Sequence, residues 1–445
     1  MKQQIQLSDH FGYRRLIRFT WPSILMMVFT SIYGVVDGFF VSNFVGKTPF
    51  AAVNFIMPFL MVVGALGFMF GTGGSALIAK TMGMGDRKRA TEIFSLLVWA
   101  TFLSGVVIAV LSILFLEPIA RFLGARGQML TDCVIYGRII LLALPFLMLQ
   151  YAFSSLAVTA ELPNLGLTFT VAAGLVNMAG DALFMMVLRW GIVGAALATT
   201  LGQIIGGVIP LVYFLRKNPS GFRLTMPRWD GRAMARVCLN GSSELMSNIS
   251  MSLVGMLYNA QLLRYAGENG VAAYGTIMYV NFIFISIFIG YVTGAAPVIS
   301  YHYGAANQQE LKGLLGRSTV LVGLTSVAMF AAAELLAEPL SMIFVSYDPQ
   351  LLEMTIHAFR LYSYSFFFAG FAIFGSAFFT ALNDGLTSAL ISFLRTLLFQ
   401  SAAVMLMPLV WDLDGIWLSI VAAEALAVVV TLVFLAAKRK KYRYW

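Results

Sequence analysis

This chain contains few charged residues. Asp, Glu, Lys and Arg make up 11% of its 445 residues, less than half of the roughly 25% that is usual in globular domains. This scarcity argues against an ordinary water-soluble domain, because such a domain needs a charged surface. Hydrophobic residues make up 60%, and their runs are long enough to cross a bilayer as helices. The composition therefore predicts an all-α polytopic membrane protein.

Cysteine and histidine are also scarce. The two cysteines, Cys133 and Cys238, lie in different halves of the chain and provide neither a disulfide framework nor a metal-ligand spacing. His10, His302 and His357 stand near predicted loop ends and are interpreted as surface residues. No histidine falls in the middle of an apolar run, and no HExxH pattern occurs. We therefore expect no enzymatic activity.

The apolar runs predict twelve membrane-spanning helices. The first begins near Leu16, after two arginines, and no small-residue cleavage site follows it, so we expect a retained span and not a signal peptide. An even number of spans puts both ends of the chain on one side of the membrane. The predicted spans are residues 15–43, 49–80, 91–116, 132–158, 164–188, 192–214, 234–262, 271–301, 313–337, 355–382, 386–410 and 414–437.

The net charge of +9 is read as a topology signal. Basic residues concentrate on the side that holds the termini, and the positive-inside rule then places both termini in the cytoplasm of a plasma (inner) membrane protein. No nucleic-acid partner is expected. The residues assigned to the cytoplasmic side are Lys2, Arg14, Arg15, Arg18, Lys80, Arg87, Lys88, Arg89, Arg216, Lys217, Arg223, Arg228, Arg232, Arg236, Lys312, Arg317, Lys438, Arg439, Lys440, Lys441 and Arg443. Those assigned to the opposite side are Lys47, Arg121, Arg126, Arg138, Arg189, Arg264 and Arg360.

The chain repeats itself at an offset of 221 positions, the distance in sequence from Gly83 to Gly304. Six spans per repeat keep both copies in the same orientation, which suits alternating access by two rocking bundles. We predict an N-terminal six-helix lobe at 1–215, a cytoplasmic linker at 216–232 and a C-terminal six-helix lobe at 233–445. Further matches at the same offset are Ala51-Ala52 with Ala272-Ala273, Thr159-Ala160 with Thr380-Ala381, Gly194 with Gly415, and Gln203 with Glu424.

The N-terminal half carries two acids inside apolar spans. Asp181 lies one helical turn after Asn177, so both side chains share a helix face and can hold one ligand. Asp37 is equally deep in the first span. A charge at this depth costs several kcal/mol and normally serves a function. Pro22 lies about four turns before Asp37 and is a candidate hinge, because proline breaks a backbone hydrogen bond.

The C-terminal half has a different polar set. Arg395 in span eleven and Glu424 in span twelve lie at similar predicted depth, so they could pair and fix helix packing. Glu244 in span seven has no obvious partner. Substrate contact and structural hydrogen bonding both remain open for it.

The P…D pattern of span one and the run NMAGDALFMMVLRWGIVGAALATT at 177–200 resemble the multidrug and toxic compound extrusion (MATE) transporters. The resemblance covers essentially the whole chain and points to the prokaryotic branch with its acids in the N-terminal lobe. It implies that Asp37, Asn177, Asp181, Thr199 and the Ala195 carbonyl match the family's intramembrane cation site. Such oxygens suit Na⁺, and two buried neighbouring acids could instead hold a proton. Span ten lacks the acid that another branch carries there.

The resemblance implies a cation-coupled antiporter that exports organic, often cationic and amphipathic compounds by alternating access. The coupling ion, Na⁺ or H⁺, is then the only cofactor, and we expect a monomer in the lipid bilayer with small-molecule substrates. The abundance of Met and Phe (24 and 37) suits an adaptable apolar cavity.

Two alternatives remain open. One is a lipid-linked precursor or polysaccharide flippase of the same superfamily, which would need a more cationic cavity than Arg395 and Arg264 supply. The other is a major facilitator-type transporter. It rests on the loop GMGDRKRA at 83–90, which lacks that family's second glycine.

Overall fold

The computed structural model describes residues 5–444, apart from the side chain of Lys47; Lys2, assigned above to the cytoplasmic side, lies outside this range. The described elements are all helical. They are α1 (Tyr13–Val45), α2 (Lys47–Gly83), α3 (Arg87–Leu123), α4 (Gly127–Leu142 and Leu144–Thr159), α5 (Pro163–Val187), α6 (Gly191–Leu215), α7 (231–266), α8 (268–304), α9 (Gln308–Val345), α10 (Pro349–Ser363 and Phe366–Ala381), α11 (Gly385–Leu406) and α12 (Pro408–Tyr442).

The twelve predicted spans are confirmed once the stretch Gly231–Gly304 is divided. Its 74 residues would be about 111 Å long as one helix at 1.5 Å per residue, whereas a bilayer core is about 30 Å thick. The break lies at Gly267, whose φ of 62° and ψ of −151° are not helical. Glycine takes this conformation without a Cβ clash. The stretch is therefore a helical hairpin of two spans, α7 and α8.

Short polar side chains start several of the helices on the side of the bundle that holds both termini, called here the terminal side. Asp86 accepts a hydrogen bond from the backbone N–H of Arg89 (2.9 Å) at the start of α3. Asn307 accepts one from the N–H of Glu310 (3.1 Å) at the start of α9. These caps satisfy N–H groups that a helix start leaves without partners.

The two halves share backbone geometry at the predicted offset. The fourth helix of each half is broken, α4 by a bend of 58° and α10 by a bend of 48°. Three pairs of corresponding residues also have a positive φ, two pairs in connections between helices and one at the start of α6 and a break inside α12. The pairs are Gly46 and Gly267 (φ 123° and 62°), Gly85 and Ala306 (86° and 54°), and Gly191 and Asp412 (60° and 46°).

Glycines allow the two halves to touch on the terminal side. A Cβ on Gly83 of α2 would overlap the backbone carbonyl of Tyr301 of α8, and a Cβ on Gly304 would overlap that of Lys80. Close backbone approach of this kind is how small residues hold membrane helices together. The seam closes this side of the bundle. Further glycines in it are Gly73, Gly241, Gly290 and Gly294.

The histidine prediction is wrong for one residue of three. The side chains of His10 and His357 are exposed, as predicted. His302 is only 2% exposed, because the chain before α1 folds over it and packs Phe11 edge-on against its ring (centroids 6.5 Å apart). The position of His302 near a helix end did not indicate, from the sequence alone, that the segment before α1 buries it.

Candidate functional site

Three packed helices, α1, α5 and α6, bring the predicted site residues together. Helices α5 and α6 approach closely because small residues face each other: a Cβ on Gly180 would come within 3.0 Å of the Ala198 side chain, and a Cβ on Gly202 within 3.0 Å of the Asn177 Cβ. The residues placed in this way are Asp37 on α1, Asn177 and Asp181 on α5, and Ala195 and Thr199 on α6.

The acids are buried and lie beside each other. Asp37 is 9% exposed, Asn177 3% and Asp181 0%. Asp37 lies near Asn177 and Asp181 and within reach of the Thr199 hydroxyl. The Thr199 hydroxyl lies 3.4 Å from Asp37 Oδ1 and 3.1 Å from the Ala195 carbonyl, and it can donate its one hydrogen to either oxygen. The structure thus gathers all five predicted residues at one place.

Several polar atoms of this cluster lack partners. Both amide atoms of Asn177 and both carboxylate oxygens of Asp181 are buried without a hydrogen bond to any residue that the structure describes. Among the side chains that the structure describes, no Lys or Arg forms an ion pair with Asp37 or Asp181. A buried polar group without a partner costs free energy, and such groups need an explanation. Carboxylate, amide, hydroxyl and carbonyl oxygens together suit a hard cation, and the carboxylates also suit a proton.

Two further polar groups belong to this region and were missed in the sequence. Tyr136 of α4 is fully buried, and its hydroxyl has no hydrogen-bond partner in the described chain. Oε1 of Gln203 on α6 is also a buried atom without a hydrogen-bond partner in the described chain. Gln203 stands one turn after Thr199, so its spacing could have identified it. Tyr136 gave no such signal, because tyrosine is common in membrane spans.

Rare π-helical turns follow both acids. One spans Val41–Val45 in α1, just beyond Asp37. The other, Ala182–Val187 in α5, starts directly after Asp181. Such turns occur often at functional sites. Pro22 lies inside α1 and is buried, which leaves its role as a hinge a prediction.

In the C-terminal half, the opposite charges of Arg395 and Glu424 neutralise each other. Nε of Arg395 donates to both carboxylate oxygens of Glu424 at 3.0 and 2.8 Å, which confirms the predicted pairing. Tyr258 of α7 and Ser419 of α12 share a hydrogen bond of 2.8 Å. Glu244 of α7 lies within electrostatic range of Arg395 but forms no ion pair in the described part of the chain.

Twelve spans in two like-oriented halves, with polar groups buried inside the spans, are typical of a membrane transporter. Comparison with known families gives the particular group. The MatE family model matches residues 22–183 and 245–406, one segment in each half. The chain belongs to the MatE family, as the sequence motifs predicted.

Curated relatives align over most of this chain. Multidrug export protein MepA of Staphylococcus haemolyticus strain JCSC1435 is 25% identical over 382 residues, which cover 83% of each protein. The protein of that name from Staphylococcus aureus strain MSSA476 is 21% identical over 416 residues, 93% of this chain and 91% of the relative.

Solved structures confirm the predicted fold. A MATE in complex with MaL6 superposes with a TM-score of 0.94 at 21% identity, over 100% of both chains. A multidrug resistance MATE family transporter of the MOP superfamily in the outward-facing conformation gives a TM-score of 0.93 at 22% identity, again over 100% of both. A MOP superfamily transporter from Pyrococcus furiosus gives 0.90 at 22% identity, over 100% of this chain and 99% of that one.

Proposed function

We propose that this protein is a secondary active multidrug efflux antiporter, which exports organic, often cationic and amphipathic compounds in exchange for Na⁺ or H⁺. Family membership and the similarity to multidrug export proteins over 83% to 93% of the chain support the efflux activity. The coupling to a cation is supported by the polar cluster of the N-terminal half.

The proposed coupling rests mainly on one observation, which is that two buried acids have no positively charged partner. Asp37 and Asp181 are buried side by side, and no cationic side chain of the described chain pairs with either. Two like charges this close in a poorly solvated place repel each other. A bound Na⁺, or a proton on one carboxyl group, relieves that repulsion. Asp37, Asp181, Asn177, Thr199 and the Ala195 carbonyl would hold the ion.

Exchange requires that the cation and the drug favour different states of the two halves. A ligand shifts a conformational equilibrium only by its differential affinity for the two states. The acids lie on α1 and α5, and α1 also packs against α8 of the other half through Thr20 and Gly294. A change in the position of α1 when the cation binds would therefore be transmitted to the inter-half seam and release the drug.

The basic residues assign the terminal side to the cytoplasm under the positive-inside rule. The glycine seam closes that side, so this conformation would present its cleft to the exterior. We expect a plasma-membrane protein that works as a monomer, with one cleft in each chain.

The choice between Na⁺ and H⁺ can be made in proteoliposomes with an imposed gradient. We expect drug movement driven by an oppositely directed Na⁺ gradient, pH gradient or both, measured by the fluorescence of a cationic dye. Equal transport with neither gradient would overturn the antiport proposal.

A matched pair of variants tests the site. Asp37→Asn and Asp181→Asn should each abolish gradient-driven transport. Asp132→Asn is the control, because Asp132 is also a buried acid of the N-terminal half (4% exposed), but it lies at the far end of α4 and one of its oxygens accepts a hydrogen bond from Gln128 at 2.9 Å. Normal transport in both site variants would place the coupling elsewhere.

The flippase alternative is disfavoured by Arg395. A diphosphate headgroup requires free positive charge in the cavity, but the Arg395 guanidinium is engaged by both oxygens of Glu424.

A further inference from the structure

We propose that two charged clasps on the terminal side lock the halves together in this conformation, and that both must open before the cleft can open there. Each clasp ties the residues just before the first helix of one half to the third helix of the other half. This inference rests on the proposed transport function, because it assigns the clasps a role in alternating access.

The first clasp joins the chain before α1 to α9. The backbone N–H of Phe11 donates to Glu310 Oε1 at 3.0 Å, and His10 Nδ1 lies 2.6 Å from Glu310 Oε2. Arg317 completes the cluster, since it pairs with Glu310 at 2.9 Å and donates to the Phe11 carbonyl. Both carboxylate oxygens of Glu310 thus contact the segment that precedes α1.

The chain before α1 is also fixed at a second point. The backbone N–H of Leu7 donates to Oε1 of Glu161 at 2.8 Å, in the turn between α4 and α5. Leu7 and Phe11 are both fully buried. Residues 5–12 therefore lie across the junction, with one end on the N-terminal half and the other on the C-terminal half. Separation of the halves on this side must break one of these attachments.

The second clasp joins the start of α7 to α3. Asp230 caps α7 by accepting from the backbone N–H groups of Arg232 and Ala233. Its other oxygen pairs with the guanidinium of Arg89 in the first turn of α3. Arg89 also pairs with Glu92 at 3.1 Å, which orients its side chain.

The two clasps use corresponding positions on the third helices, where Arg89 and Glu310 carry opposite charges. Glu310 stands 221 positions after Arg89, and Asp230 stands 221 positions after Asp9, the neighbour of His10. In one clasp the third helix supplies the cation, and in the other it supplies the anion. A seam held only by apolar packing would not require a charged side chain of the third helix to bind the start of the other half at both places. Because such a contact occurs in both halves, we assign both contacts the same role, which is to hold the start of each half against the other half.

Distance measurements between the halves can test the clasps without any transport assay. Lys88 and Lys312 are exposed on the terminal side of the two halves, and each can be replaced by a spin-labelled cysteine in a background with Cys133→Ser and Cys238→Ser. Double electron–electron resonance in proteoliposomes then reports the separation of the halves on this side.

We expect Glu310→Gln and Arg89→Gln each to raise the population with the long distance by about threefold or more, the change expected from loss of a partly shielded ion pair. The exchange Arg89→Asp with Asp230→Arg should return the population toward the wild-type value. Glu117→Gln is the control, because it breaks a surface pair with Arg121 (2.7 Å) at the opposite end of α3.

Unchanged distances in both single variants, with protein that stays monodisperse, would overturn the proposal. So would a failure of the charge exchange to reverse the effect of Arg89→Gln. If the distances shift as expected but no gradient drives transport in the wild-type protein, the clasps stand and the proposed antiport fails.

Discussion

The two halves of this protein use the same scaffold to hold opposite kinds of polar centre. In the N-terminal half, Thr199 of α6 reaches a carboxylate on the first helix, Asp37. In the C-terminal half, Ser419 of α12, one position before the counterpart of Thr199, bonds a neutral hydroxyl on the first helix, Tyr258. In the C-terminal half the buried acid Glu424 is paired with Arg395, and Glu244 lies near the same arginine. The N-terminal half differs because two buried acids lie together there, with no cationic side chain of the described residues paired to either.

The difference shows how duplication separates two tasks. A buried charge with its partner is a packing element, whereas a buried charge without one must bind something or change its protonation. The corresponding positions of Asn177 and Asp181 are Leu398 and Ala402, so the second half lacks the cluster. Four predictions can break or sharpen this contrast.

The largest expected effect is at the acids of the N-terminal half. Asp181→Asn should lower the affinity for the coupling cation by at least about 100-fold, since even the groups that merely orient metal ligands are worth about 10- to 100-fold. The measurement is the binding of Na⁺ to the purified protein, or its uptake of protons as the pH falls, in the absence of transport. Unchanged cation binding in Asp181→Asn would remove the functional distinction between the halves.

The next largest effect is expected at the Arg395–Glu424 ion pair of the C-terminal half. Arg395→Leu leaves Glu424 buried and unpaired, so it should cost about 3–5 kcal/mol of stability, whereas the double variant with Glu424→Leu should recover most of that loss. Unfolding in detergent by denaturant or heat checks both. Coupling to the cation gradient should persist in the double variant. Its loss, with folded protein, would give the C-terminal half a part in ion binding.

The sequence predicted the spans and the polar centres well, because both depend on properties that repeat along a helix. Apolar length gave the twelve crossings, and depth within each span gave the pairing of Arg395 with Glu424. The spacing of Asn177 and Asp181 gave their common face. The structure then brought α1, α5 and α6 together, which agrees with the residues grouped by the family resemblance.

Features that depend on contacts between distant segments were not predicted. The burial of His302 and the two clasps arise because residues 5–12 and the start of α7 each fold against the other half. No periodicity marks such contacts. Glu310 and Arg89 looked like ordinary charges of solvated loops, since only the fold gives each of them its partner.

A third prediction compares how the fifth helix of each half begins. Helix α5 starts with Pro163, whereas α11 is capped by the corresponding residue, Asp384. Burial alone would raise the pKa of Asp384, but bonds from Lys438 (2.6 Å) and Tyr442 (2.7 Å) outweigh it and lower the pKa below its usual value. Its contribution is therefore present at neutral pH and is lost as the pH falls through the lowered pKa.

The Asp384→Asn variant should accordingly be less stable at pH 7, by about 1.5–3 kcal/mol, the usual worth of hydrogen bonds to a charged group. The difference from wild type should shrink below about pH 4, the ordinary pKa of an aspartate. Thermal unfolding across this pH range measures it. A difference that does not change with pH would mean that Asp384 acts only as a cap and not through its charge.

The smallest effect tests the neutral counterpart of Asp37. Tyr258→Phe removes the hydrogen bond to Ser419, but the Ser419 hydroxyl keeps the Ile416 carbonyl as a partner at 2.6 Å. Since no buried group is left unpaired, the cost should be about 1 kcal/mol or less, visible as a small shift in unfolding with unchanged ion dependence of transport. The matched change Asp37→Asn removes a charge at the corresponding place and should abolish coupling. If Tyr258→Phe also abolished it, the coupling ion would have to engage both halves, and the division of tasks between them would be wrong.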